Sequence, residues 1–548
     1  MSLLLNLPNE LLRAIVALTI PEDIEATCLS CRTLYQAASE FLPEHLRLRR
    51  RYRHFSYAEL DHEADFQPGD DESAPISTAL GFLLRAAANP LVPRYVEHAD
   101  LRHSELLNWD AAPAGRRLGR DTAARAALLC FLEPNPYLAG AGFDTQLMLE
   151  QHLQAMEPGM DHMGRLALTP YALDLAVLTL LTNARALAPP RSWDCFEDPP
   201  KEDEEERRDG PDLGLWRVMD LLVKRAREDP GGRDVALGRL ETVLPTRGPG
   251  YDSRVGLYWQ EPLLALPTLR EFYGGGLVAL EDGYTGMEFE RRYEGSGAAL
   301  ETLWLGGCCV GATEMGRLVR DCKELRHLRG SQECKWHGCG SNWDAGHFLA
   351  AVVEATGKTL ETLSLAVTFP GQGTGTGMVS LKGFEVLRSV ELALDYLEGP
   401  PVGGEDDLAY IEEGGDELVM GDSETPPLCD VLPATVESCL LWCTAAEHLP
   451  VLEMLFRDFD EAAWAEKLPR LKSLKVIVSR MLVLPPNQGR RKKEKADMDP
   501  EDARWDVAKR ALKVYGGELS VMEEHVSTYQ DYTLPRRVAL DVDDWYEE

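Results

Sequence analysis

The densest grouping of metal-ligating side chains in the sequence is Cys334-x2-His337-x-Cys339-x7-His347. Thiolates and imidazoles are the ligands of structural zinc, and four of them close a tetrahedron. Such sites commonly draw on paired CxxC or HxxxH sets, and this run contains neither pair. Trp336, Gly338 and Gly340 read as a loop between a strand and a helix. Core and loop cysteines beside a surface histidine account for the run, and no metal is expected. GQGTGTG at 371–377 is rich enough in glycine to wrap a phosphate, but TFP precedes it and it carries no lysine. It reads as a flexible loop. No GxSxG, HExxH or GxxxxGK[ST] occurs, and the remaining histidines have no Ser or Cys partner that spacing can place. A nucleophilic cysteine needs an electropositive setting, and this chain's charge runs the other way. No catalytic residue and no cofactor is expected.

The charge balance narrows the function classes further. Lys plus Arg number 57 and Asp plus Glu 91 in 548 residues, a formal net charge of −34. A surface that negative repels phosphate backbones and anionic lipid, so neither nucleic acid nor membrane is an expected partner. No apolar run reaches the roughly 18 residues of a membrane span. The opening MSLLLNLPNELLRAIVALTI is interrupted by Asn6, Pro8, Asn9, Glu10 and Arg13 and lacks a basic leader, so it is not expected to be a signal peptide. The 12 cysteines sit mostly singly among apolar residues and read as reduced intracellular thiols. The expected location is cytoplasmic, nuclear or both.

A short strand-like signature, apolar-x-x-apolar-x-apolar, organises much of the chain. It recurs as VEHADL at 96–101, LETLWL at 300–305, LETLSL at 360–365, LRSVEL at 387–392, VESCLL at 436–441 and LKSLKV at 471–476. LREFYG at 269–274 and LRHLRG at 325–330 are weaker copies in which glycine takes the last apolar place. From 269 onward the intervals are 31, 25, 35, 27, 49 and 35 residues, a repeat spacing that wanders. Helical patterns lie between the strands at 311–325, 345–360 and 502–517, the last ending in Gly516-Gly517 as a C-cap does. Alternating helices and parallel strands that each bury one face against a neighbour make a solenoid; a generic α/β domain whose strands share the signature is the alternative. Three polar stretches read as insertions into this scaffold. Residues 194–212 carry ten acids and three bases, 399–428 nine acids and no base, and 485–503 a basic island, RRKKEK at 490–495. That island reads either as a nuclear import signal or as a solvated loop.

The first 55 residues are of another kind. Leu7-Pro8 and Pro21-Glu22-Asp23 are helix-start signals, with Glu10 in a first turn where the macrodipole favours it. Leu11, Leu12, Ile15 and Leu18 follow at helical spacing, Ile24 and Cys28 lie four apart on a second helix, and Leu29, Leu34, Ala38 and Phe41 suggest a third. The basic run Arg47 to Arg53 reads as the exposed face of a helix leaving this block. About 40 residues is too few to close a good core, so part of this wide apolar face must meet either the rest of the chain or a partner.

LPNELLRAIVALTIPEDIEATCLSCRTLYQAAS resembles the F-box, matching at Leu7, Pro8, Glu10, Leu11, Ile15, Leu18, Asp23, Ile24, Cys31, Arg32 and Leu34. Ser30 departs from the family's usual valine before the cysteine. The resemblance implies docking on the Skp-type adaptor of cullin–RING ubiquitin ligases through Leu7, Pro8, Leu11, Ile15, Leu29, Cys31 and Leu34. Downstream, LETLWLGGCCV resembles the leucine-rich repeat LxxLxLxxN/CxL, with Cys308 in the N/C place; Ser104, Thr368, Asp395 and Ser479 stand there in other copies. A short polar side chain at that point can satisfy backbone groups where the chain turns off the strand. The expected architecture is α/β. A three-helix F-box-like domain (1–55) and a linker (56–76) precede an irregular leucine-rich-repeat-like solenoid of parallel strands and helices (77–548), similar to the arrays of fungal-type F-box proteins. The expected function is that of a non-catalytic substrate-recognition subunit of a ubiquitin ligase, its repeats holding an unidentified target protein. Three alternatives stand beside it: a scaffold that binds the adaptor outside a ligase, a repeat protein whose helices only cap the array, and an enzyme hidden in 130–260.

Overall fold

A computed structural model describes residues 6–57, 76, 78–102, 121–155, 171–190, 211–246, 254–280, 287–333, 345–367, 380–397, 425–443, 449–479, 506–517 and 519–522. The ligand-like run from Cys334 to Cys339, the glycine-rich 371–377, the basic 490–495 and almost all of the three polar insertions lie outside the described residues. The same is true of the 58–75 part of the expected linker. Among the described residues no helix is long and apolar enough to cross a membrane. The chain divides into two units, residues 1–246 with 266–268, and 247–265 with 269–548.

The first unit begins with four short helices: α1 (Asn9–Ala17), α2 (Ile24–Ser30), α3 (Arg32–Ala38) and α4 (Leu42–Tyr52). Pro8 is the residue before α1 rather than its first member, with an extended ψ of 147°. Leu29 closes α2 instead of opening the third helix, and Phe41 precedes α4. Arg47 to Arg51 lie on α4, as the basic run led one to expect. Then come β1 (His54–Ser56), β2 (His98–Asp100), β3 (Ala186–Ala188) and β4 (Thr242–Val243), joined by helices and paired in parallel. His54, His98, Ala186 and Thr242 stand side by side. VEHADL thus forms a strand, in a row with three others that the signature search passed over.

The second unit holds β5 (Val255–Gly256), β6 (Glu271–Gly275), β7 (Leu277–Ala279), β8 (Thr302–Val310), β9 (His327–Gln332), β10 (Thr362–Val367), β11 (Ser389–Ala393), β12 (Ser438–Cys443), β13 (Ser473–Ser479) and β14 (Leu519–Met522). The order β6-β8-β9-β10-β11-β12-β13-β14 is parallel throughout, with β7 pairing β8 and β5 pairing β7 at one end. Every downstream copy of the signature is one of these strands. The third residue of each copy, from Glu271 through Thr302, His327, Thr362, Ser389 and Ser438 to Ser473, sits directly beside the third residue of the next.

That shared register explains the signature. Fourth and sixth residues share one face of each strand and the first lies just before it, and Leu300, Leu303 and Leu305, or Leu360, Leu363 and Leu365, are all buried. Because strand side chains alternate, one face carries these leucines while the other carries a mixed set, from Tyr273 and Trp304 to Arg329, Ser364 and Glu391. Helices at Ala312–Val319, Ala345–Thr356 and Asp506–Val514 lie where helical patterns were read. At Gly274 a Cβ would stand 2.5 Å from Leu277 Cδ1, so a neighbouring leucine fills the space that the signature's last side chain would occupy. The result is an α/β architecture of short N-terminal helices followed by parallel strands alternating with helices in a leucine-rich-repeat-like arrangement.

Candidate docking surface on the N-terminal helices

The first three helices enclose a miniature core. Leu12 and Val16 of α1, Ile24 of α2, and Leu34 and Ala38 of α3 are buried together, with Leu7, Ile20, Cys28, Cys31, Ala37, Phe41 and Leu42 packed half-buried around them. Helical periodicity splits the apolar residues of α1 into two stripes. Leu12 and Val16 face inward, while Leu11, Ile15 and Leu18 fall at i, i+4 and i+7 on an adjacent stripe that the core does not cover. Leu11 is 50% exposed and Leu18 81%. Leu29, at the end of α2, is 88% exposed, and Tyr35 of α3 is 53% exposed. These four account for half of the eight large apolar side chains that stand exposed among the described residues, within 25 positions of a 548-residue chain. An isolated exposed leucine is ordinary; such a concentration marks a surface that gains by being covered.

The structure divides the seven residues grouped by resemblance. Pro8, Leu11 and Leu29 are exposed, Leu7, Ile15 and Cys31 are half-buried with Leu7 and Cys31 packed on the small core, and Leu34 is a core residue at 7% exposure. Leu18 and Tyr35 are exposed apolar residues outside that group. The i+7 spacing of Leu18 from Leu11 is the sequence signal for the first; α3 offers none for the second.

The helices are anchored to the segments that connect the strands of their own unit. Glu22, between α1 and α2, accepts from Arg94 Nε at 3.1 Å and Nη2 at 2.8 and 2.9 Å, and from Asn183 Nδ2 at 2.9 Å. Asn183 also donates to the Arg94 carbonyl at 2.7 Å and accepts from Arg239 Nη1 at 2.8 Å. Arg233 meets Asp23 at 2.5 Å. On α4, buried His45 lies 3.0 Å from the Tyr95 hydroxyl and 3.6 Å from Glu25. Burial holds its pKa below the ordinary value against the opposing pull of Glu25. Charge-assisted bonds of this kind fix orientation as well as energy, so the exposed apolar side chains ride on a block fastened to the repeats beneath it.

Burial, and then Glu25, pushes the Cys28 thiol up from its ordinary value, away from nucleophilic use. Among the described residues no group of three or more His, Cys, Asp or Glu is arranged to hold a metal. Two α4 arginines and the residue that caps the helix are paired: Arg47 is bonded to Glu44 at 2.7 Å, Arg49 to Glu25, and Arg53 to Glu97 at 3.0 Å.

In the second unit, the strand face opposite the leucines carries a connected polar group. Glu391 accepts from Ser364 Oγ at 2.9 Å and Trp442 Nε1 at 2.9 Å, with Arg329 at 3.5 Å. Cys308, in the N/C place of the repeat pattern, accepts from Leu277 N at 3.4 Å and donates toward the Gly306 carbonyl at 3.4 Å, the backbone-satisfying work proposed for that position. Burial lifts its thiol to about 12, as befits an inert structural cysteine. No protein-family model matches this chain, and no curated protein matches it either.

Proposed function

We propose that the chain is a substrate-recognition subunit of a cullin–RING ubiquitin ligase. The N-terminal helices dock an F-box-like surface on a Skp-type adaptor and, through it, on a cullin, and the leucine-rich-repeat-like strands hold a target protein. The observation that carries this reading is the concentration of exposed Leu11, Leu18, Leu29 and Tyr35 on three helices whose own core is already closed. Covering one exposed leucine with a partner contributes about 1.5–3 kcal/mol, so a few of them suffice for a stable contact. The chain's role is proximity: a bound target held near a charged ubiquitin donor reacts as if intramolecularly. The anchoring of Glu22 on Arg94 and Asn183 supports the reading, because a receptor that swings freely on its adaptor presents its target poorly.

The test is capture of the full chain by a purified Skp-type adaptor. The wild-type chain is retained, and Leu11→Asp with Leu29→Asp is not, although both residues are exposed and the double variant keeps its melting temperature. Equal retention of a folded double variant refutes the reading. Capture without any adaptor-dependent ubiquitination of a co-purifying target replaces the ligase role with that of a scaffold.

A further inference from the structure

The second residue of each strand signature obeys a rule that the apolar pattern does not require. In the first unit, these residues on β1 to β4 are Arg53, Glu97, Arg185 and Glu241. In the second unit, β6 and β8 to β13 supply Arg270, Glu301, Arg326, Glu361, Arg388, Glu437 and Lys472. Each row alternates in sign without exception.

The rows are physical neighbours as well as a pattern. Arg53 meets Glu97 at 3.0 Å, Arg185 meets Glu241 at 3.0 Å, Arg326 meets Glu361 at 4.0 Å and Lys472 meets Glu437 at 2.6 Å. Arg270 pairs with Glu301. The backbone holds them in line. The carbonyl of each second residue accepts from the second and third N–H groups of the following strand, as Glu361 does from Arg388 at 2.9 Å and Ser389 at 3.2 Å. The same doubled bond recurs from Arg270 to Glu437 in the second unit and from Arg53 to Arg185 in the first.

Exposed ion pairs add little to stability one at a time, so their value lies in discrimination. The buried positions of successive strands are nearly interchangeable: Leu300, Leu303 and Leu305 have the same spacing and chemistry as Leu360, Leu363 and Leu365. Apolar packing alone does not say which of these strands lies beside which. Neighbouring strands are roughly 4.8 Å apart. A strand seated beside the one two places along would therefore set like charges against each other, which is destabilising. We propose that the alternating row is a neighbour code: it keeps each strand beside its proper partner and makes a pair of strands, rather than one, the electrostatic unit of the repeat. This stands apart from the adaptor-docking reading and survives its failure.

The test is thermal melting of the full chain at low salt. Glu361→Arg sets three bases side by side at 326, 361 and 388 and creates two like-charge contacts. The fourfold variant Glu361→Arg, Arg388→Glu, Glu437→Arg and Lys472→Glu reverses everything downstream and leaves only one, between 326 and 361. The expected result is that the single reversal melts several degrees below wild type and below Glu361→Gln, that high salt shrinks this loss, and that four reversals restore most of what one removed. If the fourfold variant melts no higher than Glu361→Arg, or if neither gives folded protein, the code is refuted. Recovery of folded protein from the fourfold variant alone supports it as well.

Discussion

The N-terminal helices and the strands of the second unit solve the same problem in opposite ways. Both are built from closely spaced leucines. In the strands, period two sends fourth and sixth residues to one side, and Leu303, Leu328, Leu363, Leu392, Leu441 and Leu474 vanish almost completely from solvent. In α1–α3 the apolar face is wider than three short helices can enclose, so Leu12, Val16, Ile24, Leu34 and Ala38 close a core and Leu11, Leu18, Leu29 and Tyr35 are left outside. A repeat hands its apolar edge to the next repeat, whereas a helical block at the start of the array must pass its surplus elsewhere. The lesson is that apolar content does not separate core from docking surface; the width of the apolar face against what the fold can cover does.

The largest test of this contrast is truncation in the strands. Leu363→Ala removes a fully buried side chain held between β9 and β11. It is expected to cost about 2–5 kcal/mol, because the neighbouring backbone ladders keep the cavity from collapsing. The denaturation midpoint of the second unit, followed by hydrogen exchange in peptides from 300–332 and 360–367, reads this directly. A loss below about 1 kcal/mol would mean that the strand interior is as loosely committed as the helical surface.

Acid separates the two units next. In the first, burial alone lowers the His152 pKa from an ordinary 6.5 to about 4, and His45 is also lowered, chiefly by burial. A histidine depressed in the fold takes up its proton first in the unfolded chain. Stability is therefore intact above about pH 6.5 and falls as pH drops toward the folded pKa, by about 3 kcal/mol for His152 at roughly 1.4 kcal/mol per pH unit. In the second unit, Glu261 and Glu333 are buried carboxyls shifted the other way. Burial raises Glu261, although it accepts from the Arg292 and Tyr293 amides at 2.9 and 3.0 Å, and burial raises Glu333 beside Arg254. Raised carboxyls contribute stability that is fully present below the unfolded pKa and lost as pH rises through the folded one. Hydrogen exchange near pH 5, corrected for intrinsic rate, is expected to show protection falling in 122–155 but not around 261, and His152→Leu is expected to flatten the first response. Equal loss in both units would break the contrast.

What was legible in the sequence follows the same divide. Each apolar copy of the signature became a strand with its third residue in register, because burial on one face dictates both spacing and alignment. Missed were the strands whose signatures are written in other residues. Tyr52, Phe55 and Tyr57 around β1 keep the pattern in aromatics, Ala184 and Leu187 bracket β3, and Leu240 and Val243 mark β4. The three N-terminal helices were readable from their start signals, but the allocation of Leu34 to the core and of Tyr35 to the surface was not. That depends on how the helices cross. The Glu22 anchor was invisible because its partners lie 72 and 161 residues away. The charge row had been in plain view, yet only the register shows that its members are neighbours.

The smallest effect is the sharpest test of the surface. Leu29→Ala removes the most exposed large apolar side chain among the described residues, at 88%, and is expected to change stability by no more than about 0.5 kcal/mol in either direction, since almost none of its area leaves water on folding. The measurement is the chemical denaturation midpoint of the first unit, with Leu34→Ala as the comparison. Leu34 sits on the same three helices but in their core, and its truncation is expected to cost several times more. If the two substitutions weaken the fold equally, Leu29 is packed against something within the chain, and a surface that its own molecule already covers has nothing to offer a partner.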